Sequence, residues 1–328
     1  MKKGRVRVLV SLEREESARE PARLVGALFS PAAVRVRAIH VAPVAVPHFY
    51  LPAGLDLGSL RREQLVWEES ARRILERQVE PLKDAGFAVE TEVTAGSPLA
   101  EIRKRARLWH GDLILARPRR GRAAAGGLGS VAIGLMQTAP APVLLYRRVH
   151  SGYRVGTILA PVDFSPFSRE AIGWALLLAS LTGARVRLLH VLPAASSRWA
   201  ARLRRAALEM VREERQQAQR QLRQLGDPGT MIEAVIVERG DPAQGVMEAQ
   251  KEDVSLVALG ASGRTGLDAV LGSVTRRVAR HCPCPVLVIP TTNRVSARDV
   301  WRKSRRGRAV LQSSEHGEEA MKSEAGWP

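Results

Sequence analysis

At 328 residues the chain is long enough for two domains that each bury a core. Its 45% hydrophobic and 26% charged content excludes a wholly disordered chain, and only 4% aromatic residues means cores built from Leu, Val, Ile and Ala. A net charge of +18 implies non-specific attraction to polyanions that weakens with salt, yet no nucleic-acid-binding motif accompanies it and few aromatics are available for base stacking.

The N-terminus, MKKGRVRVLV, turns charged at Glu13 and lacks the apolar centre of a signal peptide. The uncharged run Ala171 to Ala184 falls short of the roughly 20 apolar residues a bilayer needs. With two cysteines and no export signal, a cytoplasmic location without membrane insertion is expected.

The first elements already repeat. VRVLVSLE, ending at Glu13, answers GTILAPVD, ending at Asp163, at an offset of 150. Ile39–Pro43 answers Leu189–Pro193 at the same offset. Gly96-Ser97-Pro98 matches Gly240-Asp241-Pro242, and Leu128–Val131 matches Leu271–Val274 at an offset of 143. That offset continues to Ala139–Leu144 and Cys282–Leu287, so the chain is a tandem duplication. The first copy therefore carries a longer middle connection, assigned to a Pro- and Gly-containing loop over Pro43–Leu60. Domains are expected over 1–150 and 151–290, followed by a basic tail over 291–328, read as mostly disordered with a short basic helix around Asp299–Arg305.

In the second copy a buried strand over Val155–Val162 leads to Asp163. Ser165-Pro166 supplies an N-cap and first-turn proline for a helix stopped at Gly183. A strand over Val186–Leu192, a long exposed helix over Arg198–Leu225 and a strand over Met231–Val237 follow. Asp241-Pro242 caps a short helix, and strands over Val254–Leu259 and Pro285–Ile289 flank a helix around Val274–His281. The alternation predicts an α/β fold: two tandem, doubly wound, parallel five-stranded sheets, with ligands beyond the carboxyl ends of the strands.

Between the fourth strand and the last helix stands Gly260-Ala-Ser-Gly263-Arg-Thr-Gly266, continuing to Gly272-Ser273-Val274. Glycines let backbone amides approach an anion, and a helix N-terminus favours phosphate. The order of an ILAPVDFS first strand, an LHV second strand, a GDP segment, this loop and a CPVLVIP last strand resembles the universal stress protein family, twice over, up to about Pro290.

The resemblance implies an adenine-nucleotide-binding sensor or regulatory module in the stress response, with ATP or another adenine nucleotide as ligand and Mg²⁺ as an optional companion. It implies that Asp163 and Val191 face the adenine and ribose, and that Gly260, Gly263, Gly272, Ser273 and Val274 hold the phosphates. It also implies a pseudo-dimer of the two copies through Val143–Tyr146 and Val286–Ile289, to which a homodimer of chains could add. The nucleotide-binding members show nine residues between the second and third glycines; Gly263 and Gly272 are separated by eight, which either shifts the phosphate amides or tightens a turn.

The first copy departs further, with Glu13 in place of the aspartate and Arg117 and Arg120 where Gly260 and Gly263 stand. It is read as keeping the fold without the site, although arginines can themselves bind phosphate. Cys282 and Cys284 replace Ala139 and Ala141 and are read as small residues packed before an edge strand. His40 and His190 end equivalent strands and are read as packing residues. No catalytic constellation or metal set is assigned, so any ATP hydrolysis would be slow and incidental. An interaction scaffold that binds no nucleotide, and a basic nucleic-acid-associated protein, stand as alternatives.

Overall fold

The computed structural model describes residues 4–13, 16–42, 57–118, 128–192, 197–225, 227, 229–237, 240–262 and 271–304. The first half runs β1 (Val6–Ser11), α1 (Arg19–Leu28), β2 (Val34–Ala42), α2 (Leu57–Gln78), α3 (Glu80–Asp84), β3 (Ala88–Ala95), α4 (Pro98–Leu108), β4 (Leu113–Ala116), α5 (Ser130–Thr138) and β5 (Val143–Leu145). The second half runs β6 (Thr157–Pro161), α6 (Pro166–Thr182), β7 (Arg185–Val191), α7 (Ser197–Gln224), β8 (Ile232–Val237), α8 (Pro242–Ala249), β9 (Leu256–Gly260), α9 (Ser273–His281) and β10 (Val286–Ile289).

The strands form one ten-stranded sheet in the order β3-β2-β1-β4-β5-β10-β9-β6-β7-β8. Among the described residues every pairing within a half is parallel, and the single antiparallel pairing joins the two last strands, with Val143 opposite Val288, Leu144 opposite Leu287 and Leu145 opposite Val286. β4, β5, β9 and β10 are apolar and almost wholly buried, as strands covered on both faces must be. Alternation along the strands sends Val8 and Val10 to one core and Leu9 to the other; each core includes side chains from both halves.

The registers carry the duplication. Val8 opposite Leu113 becomes Ile158 opposite Leu256, and Val36 opposite Val89 becomes Val186 opposite Ile232. The offset thus changes between β2 and β3. Of the expected loop over Pro43–Leu60, residues 43–56 lie outside the described residues, and the last four are instead the start of α2.

Ser165 accepts from the Ser168 amide at 3.2 Å as the N-cap of α6, and Gly183 closes that helix at φ +75°. Asp241 caps α8 through the Gln244 amide at 2.8 Å. α7 is not exposed all round: Ala207, Val211, Glu214, Ala218 and Leu222 form a buried stripe at helical spacing. Glu214 in that stripe accepts from Arg169 at 2.6 Å.

The fold also continues past Pro290, where the sequence reading placed mainly disorder. The Thr291 and Thr292 hydroxyls donate to the carbonyls of Gln137 and Ala139, and the Arg294 amide donates to Pro140, all in the first half. Residues 297–304 are helical and bury Val300 in the core. Lys303 Nζ meets the Asp112 carboxylate at 2.6 Å, and Asp112 is 4% exposed. Residues 305–328 lie outside the described residues.

This strap ties the halves together, so ending the chain after Pro290 strips Asp112 of its cation and uncovers the pocket of Val300. We expect a loss of about 2–4 kcal/mol, from one buried aliphatic side chain and one half-buried ion pair. Urea unfolding of the shortened and full chains measures it; coincident midpoints would show that the strap contributes nothing.

Candidate functional site

In each half the strand order reverses between the first strand and the fourth, at β1/β4 and at β6/β9. Successive crossovers there leave in opposite directions and open a crevice at the carboxyl ends. In the second half Asp163 lies two residues beyond β6, exposed, with Oδ1 accepting from the Ser165 amide at 3.0 Å. Phe164 follows with φ +63°, a left-handed conformation that is costly for an aromatic residue. Its ring lies 4.7 Å from that of His190, whose Nδ1 hydrogen-bonds the Val162 carbonyl at 2.7 Å. His40 makes the same bond to the Leu12 carbonyl at 2.9 Å, so the histidine bridges the first two strands in both copies.

Val191 ends β7 and is buried; α8 comes so close that a Cβ on Gly245 would stand 2.7 Å from Val191 Cγ2. Gly260 ends β9 against the start of α6, where a Cβ would meet Phe167 Cβ at 2.6 Å and its carbonyl carbon at 2.9 Å. The Gly260 carbonyl accepts from the Thr275 hydroxyl at 2.7 Å, and the Gly272 amide donates to the Ala261 carbonyl at 2.8 Å. These two bonds draw Gly260, Gly272, Ser273 and Val274 together at the end of β9. Gly263 and Gly266 lie outside the described residues.

Two glycines singled out for phosphate approach thus have a packing reason. Gly260 admits α6, and a Cβ at Gly272 would stand only 3.3 Å from the Ala261 carbonyl. The amide groups left for an anion are those of the first turn of α9. That helix has Gly272 as its N-cap and no side-chain cap, whereas α6 and α8 are capped by Ser165 and Asp241. The amides of Ser273, Val274 and Thr275 therefore have no intrahelical acceptor. Two basic residues in its last turn, Arg280 and His281, complement the opposite end of its dipole.

The equivalent corner of the first half is filled by side chains. Arg117, just past β4, approaches the buried carboxylate of Glu16 at 3.4 Å. The Glu13 amide donates to the same carboxylate at 3.0 Å, and the Tyr146 hydroxyl donates to it at 3.5 Å. At the matching offsets the second half has Pro166, Gly260 and Ile289, which carry no group of this kind. Arg120 lies outside the described residues. Sequence comparison identified Arg117 but missed Glu16 and Tyr146, because their partnership spans distant parts of the chain.

Burial pushes the Glu16 carboxyl above its ordinary value of 4.5, against the lowering pull of the Glu13 amide and the charge of Arg117. Burial also pushes the Tyr146 phenol well up, with the Glu16 charge adding to it. Among the described residues no three His, Cys, Asp or Glu side chains are grouped to hold a metal, and no helix is long and apolar enough to cross a membrane.

The fold defines a class: tandem doubly wound α/β proteins joined edge to edge, with a switch point in each half. Universal stress protein family models match residues 6–147 and 155–290, and the chain belongs to that family, in tandem form. A universal stress protein of Mycolicibacterium smegmatis is 29% identical over 291 residues, covering 78% of this chain and 90% of the relative. One of Methanocaldococcus jannaschii is 34% identical over 143 residues, 40% of this chain and 80% of its own length. The crystal structure of a universal stress protein from Archaeoglobus fulgidus superposes with a TM-score of 0.63 at 20% identity, covering 87% of this chain and 98% of that one.

Two outcomes follow for these corners. Gly260→Ala forces α6 off β9 and should cost about 1–3 kcal/mol in the absence of any ligand, measured by urea unfolding; an unchanged midpoint would mean the Phe167 contact relaxes freely. Because the Glu16 pKa is raised on folding, the native state binds that proton more readily than the unfolded chain. Its favourable contribution is complete below the ordinary carboxylate value and is lost as pH rises through the raised one. Glu16→Gln should remove this loss, flattening the fall in melting temperature between acid and neutral pH; parallel pH profiles for the two proteins would contradict it.

Proposed function

We propose that the chain is a stress-response regulatory module that binds an adenine nucleotide, ATP foremost, in its second half. The observation that carries the reading is the first turn of α9: nine residues long, without a side-chain cap, opening at the β6/β9 switch point. Oriented amides and the positive end of a helix dipole favour phosphate there. Gly272 and Ser273 leave the approach narrow in side chain, and the strained Phe164 backbone beside Asp163 marks the loop that would meet the base and sugar. Asp163 and Val191 would orient the nucleoside, while Gly260, Gly263, Gly272, Ser273 and Val274 would surround the phosphates, with Mg²⁺ as an optional companion.

In this reading the first half supports the fold and binds nothing at its own corner, since Glu16, Arg117 and Tyr146 occupy it. The role is regulatory rather than catalytic, and the expected compartment is the cytoplasm. A nucleotide-free interaction scaffold is the rival reading. One observation favours it: packing alone accounts for the glycines at Gly260 and Gly272.

Calorimetry with ATP and Mg²⁺ at moderate salt separates the two. Saturable heat is expected, with a stabilisation of about 2.7 kcal/mol at a nucleotide concentration one hundred times Kd. Gly263→Arg, which copies Arg120 of the first half, should abolish both. Absence of heat and an unshifted melting temperature in the unaltered protein would overturn the proposal in favour of the scaffold.

A further inference from the structure

The seam between the halves has two equivalent corners, each made where the last helix of one copy turns into its last strand. In the first copy that turn is Ala139-Pro140-Ala141-Pro142, with both alanines fully buried and the strap's Thr292 hydroxyl on the Ala139 carbonyl. In the second copy it is Cys282-Pro283-Cys284-Pro285, and Arg147 arrives from the first half. Arg147 Nη2 donates to the carbonyls of Ala279 and Arg280 at 3.1 and 2.7 Å, capping α9 beside the cysteines.

Alanine therefore satisfies the packing at this turn, and the sulfurs require another account. The strand that follows is not an edge strand, as the sequence reading had it, because β10 pairs with β5 on one side and β9 on the other. Cys282 and Cys284 are both free, and their Sγ atoms face each other at 3.3 Å. Cys282 is 1% exposed and Cys284 is half-buried, so the pair opens to solvent on the Cys284 side.

We propose that Cys282 and Cys284 form a dithiol–disulfide site at the domain seam, oxidised reversibly by hydroperoxides. The hydrogen bond between the two sulfurs holds the Cys282 thiol below the ordinary range against the opposing effect of burial, with the Cys284 amide and the Arg147 charge also favouring its thiolate. The same bond, with burial, pushes the Cys284 thiol up. Cys282 is thus the thiolate and Cys284 the resolving thiol.

The Cys282 thiolate attacks one peroxide oxygen and breaks the O–O bond, giving a sulfenic acid and hydroxide, which takes a proton to become water (or an alcohol from an alkyl peroxide). The Cys284 sulfur then attacks the sulfenic sulfur. The S–S bond forms as the S–O bond breaks, and the Cys284 proton leaves with the departing hydroxide as water. Two electrons pass from the sulfur pair to the peroxide, and a dithiol reductant returns them. The facing sulfurs need only close from 3.3 Å to the roughly 2.05 Å of a disulfide, without a partner chain.

The full-length protein tests this directly, because these are its only cysteines. One equivalent of hydrogen peroxide should lower the intact mass by two hydrogens, abolish both titratable thiols and leave the chain unlinked to any other on a non-reducing gel. Dithiothreitol should restore the starting mass. Cys284→Ala should stop at the sulfenic acid, trapped by a cyclic diketone, and Arg147→Ala should slow the oxidation several-fold while the peptide map still shows the same bond. Cys282→Ala with Cys284→Ala, which copies the first half, should fold and remain inert to the reagent. Stepwise gain of oxygen without S–S formation, or disulfide-linked dimers as the main product, would overturn the proposal.

Discussion

An edge strand exposes a row of unpaired backbone N–H and C=O groups, and each half of this chain ends its sheet on such a strand. β5 and β10 satisfy one another across three antiparallel residue pairs, and nearly everything else in the architecture follows from that contact. It merges two five-stranded sheets into one and places both last helices at a common seam. The pairing is apolar on both faces, with Val143, Leu144, Leu145, Val286, Leu287 and Val288 all buried. Separating the halves would expose those side chains together with the strand edges. The outer edges are treated differently: β3 is laced by Arg37 to Glu90 and Glu92 at 2.6 and 3.3 Å, which disfavours addition of a further strand.

The seam also explains why chain beyond the last strand remains ordered. Emerging from β10, residues 291–294 run directly over the end of α5, where carbonyls at a helix C-terminus await donors. Emerging from β5 at the equivalent point, Arg147 reaches the end of α9 and does the same service with a guanidinium. Each copy's last helix is thus finished by a segment belonging to the other copy's last strand. The two solutions are chemically different, and only one of them brings a permanent positive charge next to thiols.

Much of this was legible in the sequence because it is local or periodic. The Ser165-Pro166 start and Gly183 stop of α6 rest on capping and left-handed geometry, which short stretches encode. The strand registers follow the repeat offsets because duplication copies pairing along with sequence. What was not legible depends on residues far apart in the chain. Glu16 with Arg117 and Tyr146, Lys303 with Asp112, and Arg147 over α9 join segments whose proximity only the folded sheet creates. The strap was misread for the same reason. Its composition is polar, and the few apolar residues that tertiary packing uses are Val300, fully buried, with Val295, Ala297 and Trp301 against the core. The glycines at Gly260 and Gly272 show the converse case, in which a local signal has a second cause that only the fold reveals, a neighbouring helix or carbonyl that leaves no room for a Cβ.

Duplication lets each such cause be read against an internal control. At the β1/β4 corner Glu16, Arg117 and Tyr146 form a linked cluster, and at β6/β9 their counterparts are Pro166, Gly260 and Ile289; the last helix of each copy starts at a glycine N-cap, Gly129 or Gly272, with no side-chain cap. At the seam the order is reversed: the first copy is chemically plain, with Ala139 and Ala141, and the second carries the reactive pair. The strand registers at both corners repeat from copy to copy, so the pairing does not demand either specialisation. Once β5 and β10 had joined two copies into one sheet, one copy could fill its crevice with an ion pair and serve as a rigid partner. The other could keep the uncapped end of α9 at one end of that helix and a thiol pair at the other. A change at Cys282 and Cys284 would then act on the C-terminus of the same nine-residue helix whose N-terminus faces the crevice, a direct mechanical path rather than a long one.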